Sequence, residues 1–235
     1  MIAVIGTPSG RLANGVVLAS GSASRIALAA ARAGRLVQLV GKTGDDPTAD
    51  GVLLDLARGG VGHVALLRDP TRATPLEASR ARGDEDGDTN GDMDADEDGG
   101  ADHEVDGEQT ATGTDTGPLD APVLDVGDVD LGLRYLMQVD VLVLADASQP
   151  EIVKVVVDAA RWGEATLLLV VGPGSTVSDD LPPDAIVFEA PATDPDGIFA
   201  EFVGSFAAAL DDGAEPGAAF RAAITSDGWT EATED

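Results

Sequence analysis

A chain of 235 residues, 43% of them hydrophobic, is enough for one large α/β domain or two small ones and can bury a continuous core, while apolar stretches such as Val139 to Ala145 and Ala165 to Val171 are strand-length, far short of the ~20 residues of a membrane span. Forty-three acids against 14 bases give a net charge of −29, a field that repels phosphates and anionic lipid, so nucleic acid and membrane are excluded as partners. Zero cysteines exclude disulfides and thiolate chemistry, and two histidines leave little for a metal centre, so no metal site is expected.

Met1-Ile2-Ala3-Val4-Ile5-Gly6 enters a strand without a basic leader, and a cytoplasmic location is expected. Ile2 to Ile5 reads as a strand, followed by a turn around Gly10 to Gly15 and a further strand from Val16 to Ser20. Ser22 is the expected N-cap of a helix to Arg32, with Ile26, Ala27, Ala30 and Ala33 on one face and Gly34 as its C-cap. Leu36 to Val40 is the next strand. Asp46 as N-cap with Pro47 behind it opens a second helix, whose Leu53, Leu56 and Ala57 face the core before Gly59-Gly60 ends it. Val64 to Leu67 is again a strand. This alternation implies right-handed crossovers and an α/β fold, a mostly parallel sheet with helices on both faces.

From Arg80 the alternation stops, and residues 80–117 are expected to form an acidic, disordered insertion. Asp84 to Glu108 holds 13 acids and no base; without it 30 acids still face 14 bases, a charge of −16, so the acidity is global. Only Lys42 and Lys154 are lysines, against 12 arginines. An acidic chain so poor in lysine suits multimolar salt, where screening acts within ~3 Å. Alternation resumes with a helix from Val129 to Met137, a strand from Val139 to Ala145, a helix from Pro150 to Arg161 and a strand from Thr166 to Val171. Ala185 to Phe188 is a short strand, Gly197 to Leu210 a helix with Phe199, Phe202, Val203, Phe206 and Leu210 apolar, and Glu215 to Ile224 a last helix. Residues 1–79 and 118–225 are thus read as two parts of one domain, interrupted by the insertion and followed by an acidic tail, 226–235.

Several motifs carry little. Gly41-Lys42-Thr43 ends like a phosphate loop, but the glycine required five residues earlier is Leu36. Gly172-Pro173-Gly174-Ser175 follows a strand where α/β folds bind ligands, yet no lysine comes after it. Asp86-Gly87-Asp88-Thr89-Asn90-Gly91 with Glu97 fits a calcium loop at every fixed position. No flanking helix supports it, and the tract reads as solvated acidic chain. His63 and His103 lack a ligand partner at helical spacing. The pairs Asp45-Asp46, Asp179-Asp180 and Asp211-Asp212 point apart and read as solvated surface.

Two stretches carry more. Gly21-Ser22-Ala23-Ser24-Arg25 opens an alanine-rich helix ending Ala31-Arg32-Ala33-Gly34. Val40-Gly41-Lys42-Thr43-Gly44-Asp45-Asp46, Gly60-Val61 and Arg68-Asp69-Pro70-Thr71-Arg72-Ala73-Thr74 follow. Together they resemble the N-terminal signature of the ribokinase-like (PfkB) carbohydrate kinases. Asp194-Pro195-Asp196-Gly197-Ile198-Phe199-Ala200-Glu201-Phe202-Val203-Gly204-Ser205-Phe206 resembles the family's later D-T-T-G-A-G-D-A-F-V-G-G-F. The resemblance implies a ribokinase-like fold and the chemistry of an ATP-dependent, magnesium-assisted sugar or nucleoside kinase. It makes Gly21, Ser22, Arg25, Gly41 and Asp45 the remnant of the substrate side, and Gly197 and Ile198 the remnant of the anion hole.

The departures fall where the chemistry would be. The family's base position is Ala200, a loss that typically costs ~10²–10⁴ in rate. The glycine that lets phosphate approach the helix amides is Phe199, expected to crowd them. The early substrate-contacting Asp would fall near Gly10 or Arg11, the Asn of the glycine turn is Arg25, and the segment from Val171 to Ala185 is too short for the magnesium-associated motif. Asp194 and Asp196 lie before the helix and are expected to point elsewhere. The expectation is a shortened, degenerate, non-catalytic relative that binds a ligand or partner and has no resident cofactor. The alternative is an active kinase using ATP, magnesium and Glu201 as its base. A small-molecule sugar or nucleoside, and a second copy of the chain in a homodimer, are the partners left open.

Overall fold

The computed structural model describes residues 1–77, 120–176 and 180–226. Strand β1 (Ile2–Ile5) is buried on both faces, with Ile2 and Val4 in one core and Ala3 and Ile5 in the other. That is the period-2 alternation of a strand covered on both sides. A hairpin follows, β2 (Ser9–Ala13) and β3 (Val16–Ser20), turning on Asn14 and Gly15 with φ of 50° and 76°. Two positive φ values are what a two-residue hairpin turn needs. Most of the stretch expected to be a turn is therefore strand; Ser9-Gly10-Arg11-Leu12-Ala13 pairs through its backbone and carries too little apolar alternation to announce it.

Helix α1 (Gly21–Arg32) has Ser20 rather than Ser22 as its N-cap. The Ser20 hydroxyl donates to Glu77 at 2.6 Å, so α1 opens without a side-chain cap. Strand β4 (Val37–Gly44) and helix α2 (Pro47–Arg58) follow, the Asp46 carboxylate accepting from the Ala49 amide at 2.8 Å as an N-cap should. Strands β5 (Val61–Asp69) and β6 (Leu76–Glu77) complete this half. The expected insertion, 80–117, with its calcium-loop motif, lies outside the described residues.

Helix α3 (Val126–Arg134) begins three residues earlier than expected, because Asp125 and Asp128 form a capping box, each accepting from the other's amide at 2.9 and 3.1 Å. Then come β7 (Val141–Leu144), α4 (Pro150–Gly163), β8 (Thr166–Val171), β9 (Ile186–Glu189), α5 (Ile198–Asp211) and α6 (Pro216–Ser226). Of the expected tail, 227–235 lie outside the described residues. Six parallel strands form one sheet in the order β5-β4-β1-β7-β8-β9, and β3-β2-β6 form a small second sheet. Residues of α1, α2, α5 and α6 build the core on one face of the large sheet, and those of α3 and α4 the core on the other. Among the described residues no helix is long and apolar enough to cross a membrane.

The chain leaves β1 outward through β4 to β5, then returns to β7 on the other side and runs out to β9. The carboxyl ends of β1 and β7 therefore flank a topological switch point, the place where open α/β sheets leave a crevice for ligands.

Candidate functional site

A cavity of about 340 Å³ opens at that switch point. Its apolar floor is Leu144, Ile152 and Val170, and its polar groups are Thr7 beyond β1, Asp146 beyond β7, Ser22 in the first turn of α1 and Gln149 at the start of α4. Neither Ser20 at the start of α1 nor Gln149 at the start of α4 caps its helix with its side chain, so among the described residues both N-termini present partial positive charge there. Among the described residues no Lys or Arg lines the cavity. Hydroxyl, amide and carboxylate groups over an apolar floor suit a small, polar, hydrogen-bonding ligand.

The N-terminus of α5 is built differently. Its N-cap, Gly197, has a φ of 78°, and a Cβ there would overlap the Arg25 guanidinium. Arg25 reaches the carbonyls of Asp194 and Pro195 at 3.5 and 3.4 Å and the Glu77 carboxylate at 3.9 Å. Glu77 in turn accepts from the hydroxyls of Ser9 at 2.8 Å and Ser20 at 2.6 Å. Burial pushes the Glu77 carboxyl up, but these two hydroxyls and the nearby Arg25 and Arg11 charges outweigh it and hold the group below its ordinary range. Arg25 thus bridges the small sheet and the loop that leads into α5.

The Asp194 carboxylate accepts from the amides of Phe199 at 3.2 Å and Ala200 at 3.1 Å. Amide groups that an anion would use are therefore already bound by the chain's own carboxylate. Asp194 does not point elsewhere, as its place before the helix suggested. The turn Asp194-Pro195-Asp196-Gly197, closed by the Gly197 amide on the Asp194 carbonyl at 3.2 Å, folds it back over the helix start.

No family model matches the sequence, and no curated protein matches it. Solved structures do. A ribokinase of Arabidopsis thaliana complexed with ribose and ATP aligns over 96% of this chain and 90% of its own, with a TM-score of 0.60 at 12% identity. A PfkB protein from Polaromonas sp. JS666 aligns over 96% and 94%, with a TM-score of 0.59 at 13% identity. The chain has the ribokinase-like fold.

Within this ribokinase-like frame the residues singled out from the sequence scatter. Ser22 lines the switch-point cavity, and Gly21, with a φ of 78°, turns the chain into α1 beside Ser9. Gly41 sits where a Cβ would overlap the Gly6 carbonyl, so its role is close approach of β4 to the chain leaving β1. Arg25 and Gly197 are in contact, and Ile198 is an exposed first residue of α5. Asp45 accepts from Arg68 at 2.9 Å, outside the cavity lining. Glu201 pairs with Arg32 at 2.9 Å, also outside it, with 43% of its side chain exposed.

Ala200 is 1% exposed and belongs to the core, and Phe199 packs against that core. It is the Asp194 carboxylate, not the Phe199 ring, that occupies the amides. ATP phosphates do not fit these α5 amides as they stand, since a phosphate there would meet a carboxylate. Among the described residues no group of three or more His, Asp or Glu side chains is gathered to hold a metal ion.

Proposed function

We propose that this chain is a PfkB-like carbohydrate-kinase homologue, degenerate at its catalytic end, that binds a small sugar or nucleoside at the switch-point cavity without transferring phosphate. The first turn of α5 carries the proposal. Phosphoryl transfer needs free donors around the transferring group and a base for the attacking hydroxyl. Here the amides of Phe199 and Ala200 are bonded to Asp194, and the side chain at position 200 is a methyl group. Neither ATP nor magnesium is proposed as a resident cofactor; both enter only in the active-kinase alternative, which requires Glu201 to leave Arg32 and turn toward the cavity.

Support for the ligand class comes from two sides. The Arabidopsis neighbour was solved with ribose and ATP, and the cavity here offers hydroxyl, amide and carboxylate groups with no side-chain cation among the described residues, which favours the uncharged polyhydroxylated molecule over the phosphorylated one. Calorimetry in molar KCl is the test. A sugar or nucleoside from a broad panel is expected to give saturable heat, ATP with magnesium none, and the panel no ATP turnover. Turnover that disappears in Glu201→Gln would overturn the non-catalytic proposal and make Glu201 the base.

A further inference from the structure

We infer that the cleft between α3 and α4, at the amino ends of β7 and β8, binds an organic monocation with an apolar or aromatic body. The cleft has a volume of about 640 Å³, within the range of small-molecule pockets, and shares no lining residue with the switch-point cavity at the carboxyl ends of the same strands. The chain that bounds it, from Asp130 to Ala165, is described throughout. Asp130 and Arg134 stand one turn apart on α3, and Asp158 and Trp162 one turn apart on α4, so each helix turns one face of its side chains to the cleft. Leu133, Leu136, Val139, Leu142 and Val155 make the lining largely apolar. Gln138, in the bend between α3 and β7, also lines it and has a φ of 60°, the left-handed region that a residue other than glycine seldom adopts. Such a residue persists where its surroundings hold it, and ligand clamps are one such place.

Charge and Trp162 together decide the class of ligand. Arg134 is bonded to Asp130 at 2.6 Å, so these two charges offset each other. Asp158 stands 4.0 Å from Arg161, the outer limit of an ion pair. A carboxylate has about four acceptor sites, so Asp158 can take an ammonium N–H without giving up that neighbour. Among the described residues the lining thus holds two acids and one base, in a molecule of net charge −29. An anion would meet Asp158 and that field, and a second positive charge would meet Arg134, so a single positive charge is favoured. The rings of Phe188, Phe202, Phe206 and Phe220 pack against one another beside the sheet. Trp162, by contrast, is 93% exposed at the wall of the cleft. An indole left in water one turn from a carboxylate is suited to hold a cation, which both groups attract, while the apolar lining takes the body of the ligand.

The test is an NMR titration of the full-length, nitrogen-15-labelled chain with phenethylammonium at neutral pH in molar KCl, where potassium is already present and a bare cation adds nothing. Saturable shifts are expected at the Trp162 indole N–H, identified as the signal that Trp162→Ala deletes, and at amides of α4 and of Arg134 to Val139. Trp162→Ala should weaken binding roughly 5-fold or more, the worth of one cation–π contact, and Asp158→Asn several-fold. Both positions are exposed, so the fold is retained. Phenethyl alcohol, with the same body and no charge, should bind more weakly, and phenylacetate, of opposite charge, more weakly still. Absence of saturable shifts, undiminished binding by Trp162→Ala or Asp158→Asn, alcohol or phenylacetate binding as tight as the amine, or shifts confined to the switch-point cavity would each overturn the inference. An indole signal that moves with protein concentration in the absence of the amine would assign this face to a second copy of the chain and overturn it as well. No lining residue is shared with the switch-point cavity, so the outcome is independent of the kinase-like proposal.

Discussion

Asp46 ties three segments together at the scale of one residue. Its carboxylate accepts from the Ala49 amide at 2.8 Å in the first turn of α2 and from the Thr74 amide at 2.6 Å beyond β5. The Thr74 hydroxyl accepts from the Gly44 amide at 2.9 Å. Burial pushes the Asp46 carboxyl up, but the bonds from Thr74, Ala49 and Thr48 outweigh it and hold the group below the usual carboxylate value. A depressed folded pKa contributes stability above the unfolded value, near ~3.9, and that contribution fades as pH falls through the lower folded value. Asp46→Ala should therefore cost about 1–2 kcal/mol near neutral pH, the upper part of the capping range, because a second amide is orphaned with the first. In urea unfolding the gap between variant and wild type should narrow in acid. A gap that stays constant from about pH 7 to about pH 2 would show that the ionised carboxylate is not the source. The N-cap role of Asp46 was legible in the sequence; its bond to Thr74, 28 residues away, was not.

At the scale of elements, α1 and α5 approach so closely that only glycine fits between them at position 204. A Cβ there would overlap the Ile26 carbonyl and come within 2.6 Å of the Ala29 Cβ. Ala in place of Gly favours a helix by ~1 kcal/mol, but a backbone carbonyl cannot rotate aside, and overpacking costs ~1–3 kcal/mol. The second effect should win. Gly204→Ala is expected to melt below wild type, and an equal or higher melting temperature would mean that α5 can shift away from α1 at no cost. Gly132 in α3 plays the same part against Val40 of β4. The expected start of α3 at Val129 moves to Val126 because the Asp125–Asp128 capping box, which the sequence reading did not use, satisfies the amides of an earlier first turn.

Over the whole molecule the dominant quantity is charge. Many of the ion pairs are solvent-exposed, such as Arg32 with Glu201 and Arg134 with Asp130. Pairs of that kind contribute only ~0–1 kcal/mol each, too little to offset the self-repulsion of a −29 chain in dilute buffer. We propose a salt-adapted protein on this ground. Its melting temperature should fall well below the molar-KCl value when salt is lowered to ~0.1 M, where the Debye length grows to ~10 Å. A melting temperature unchanged across that range would refute the proposal.

Local periodicity was enough to place the strands of the large sheet and most of the helices. In β1, β7 and β8 successive side chains alternate between two cores, and the same runs read as buried strands before any fold is known. The resemblance that sets Ala200 at the family's base position was also a matter of sequence, resting on Asp194, Gly197, Phe202, Val203, Gly204 and Phe206 aligned without a gap. What occupies the α5 amides, which residues share the switch-point cavity, and where Glu201 turns were settled only by the tertiary structure. Arg25 and Asp194 lie 169 residues apart, as do Arg32 and Glu201. Helical and strand periods are set by bonds and side-chain directions within a few residues, so they leave a trace in sequence; contacts across 169 residues depend on how two helices pack side by side on a sheet, and no local pattern encodes that.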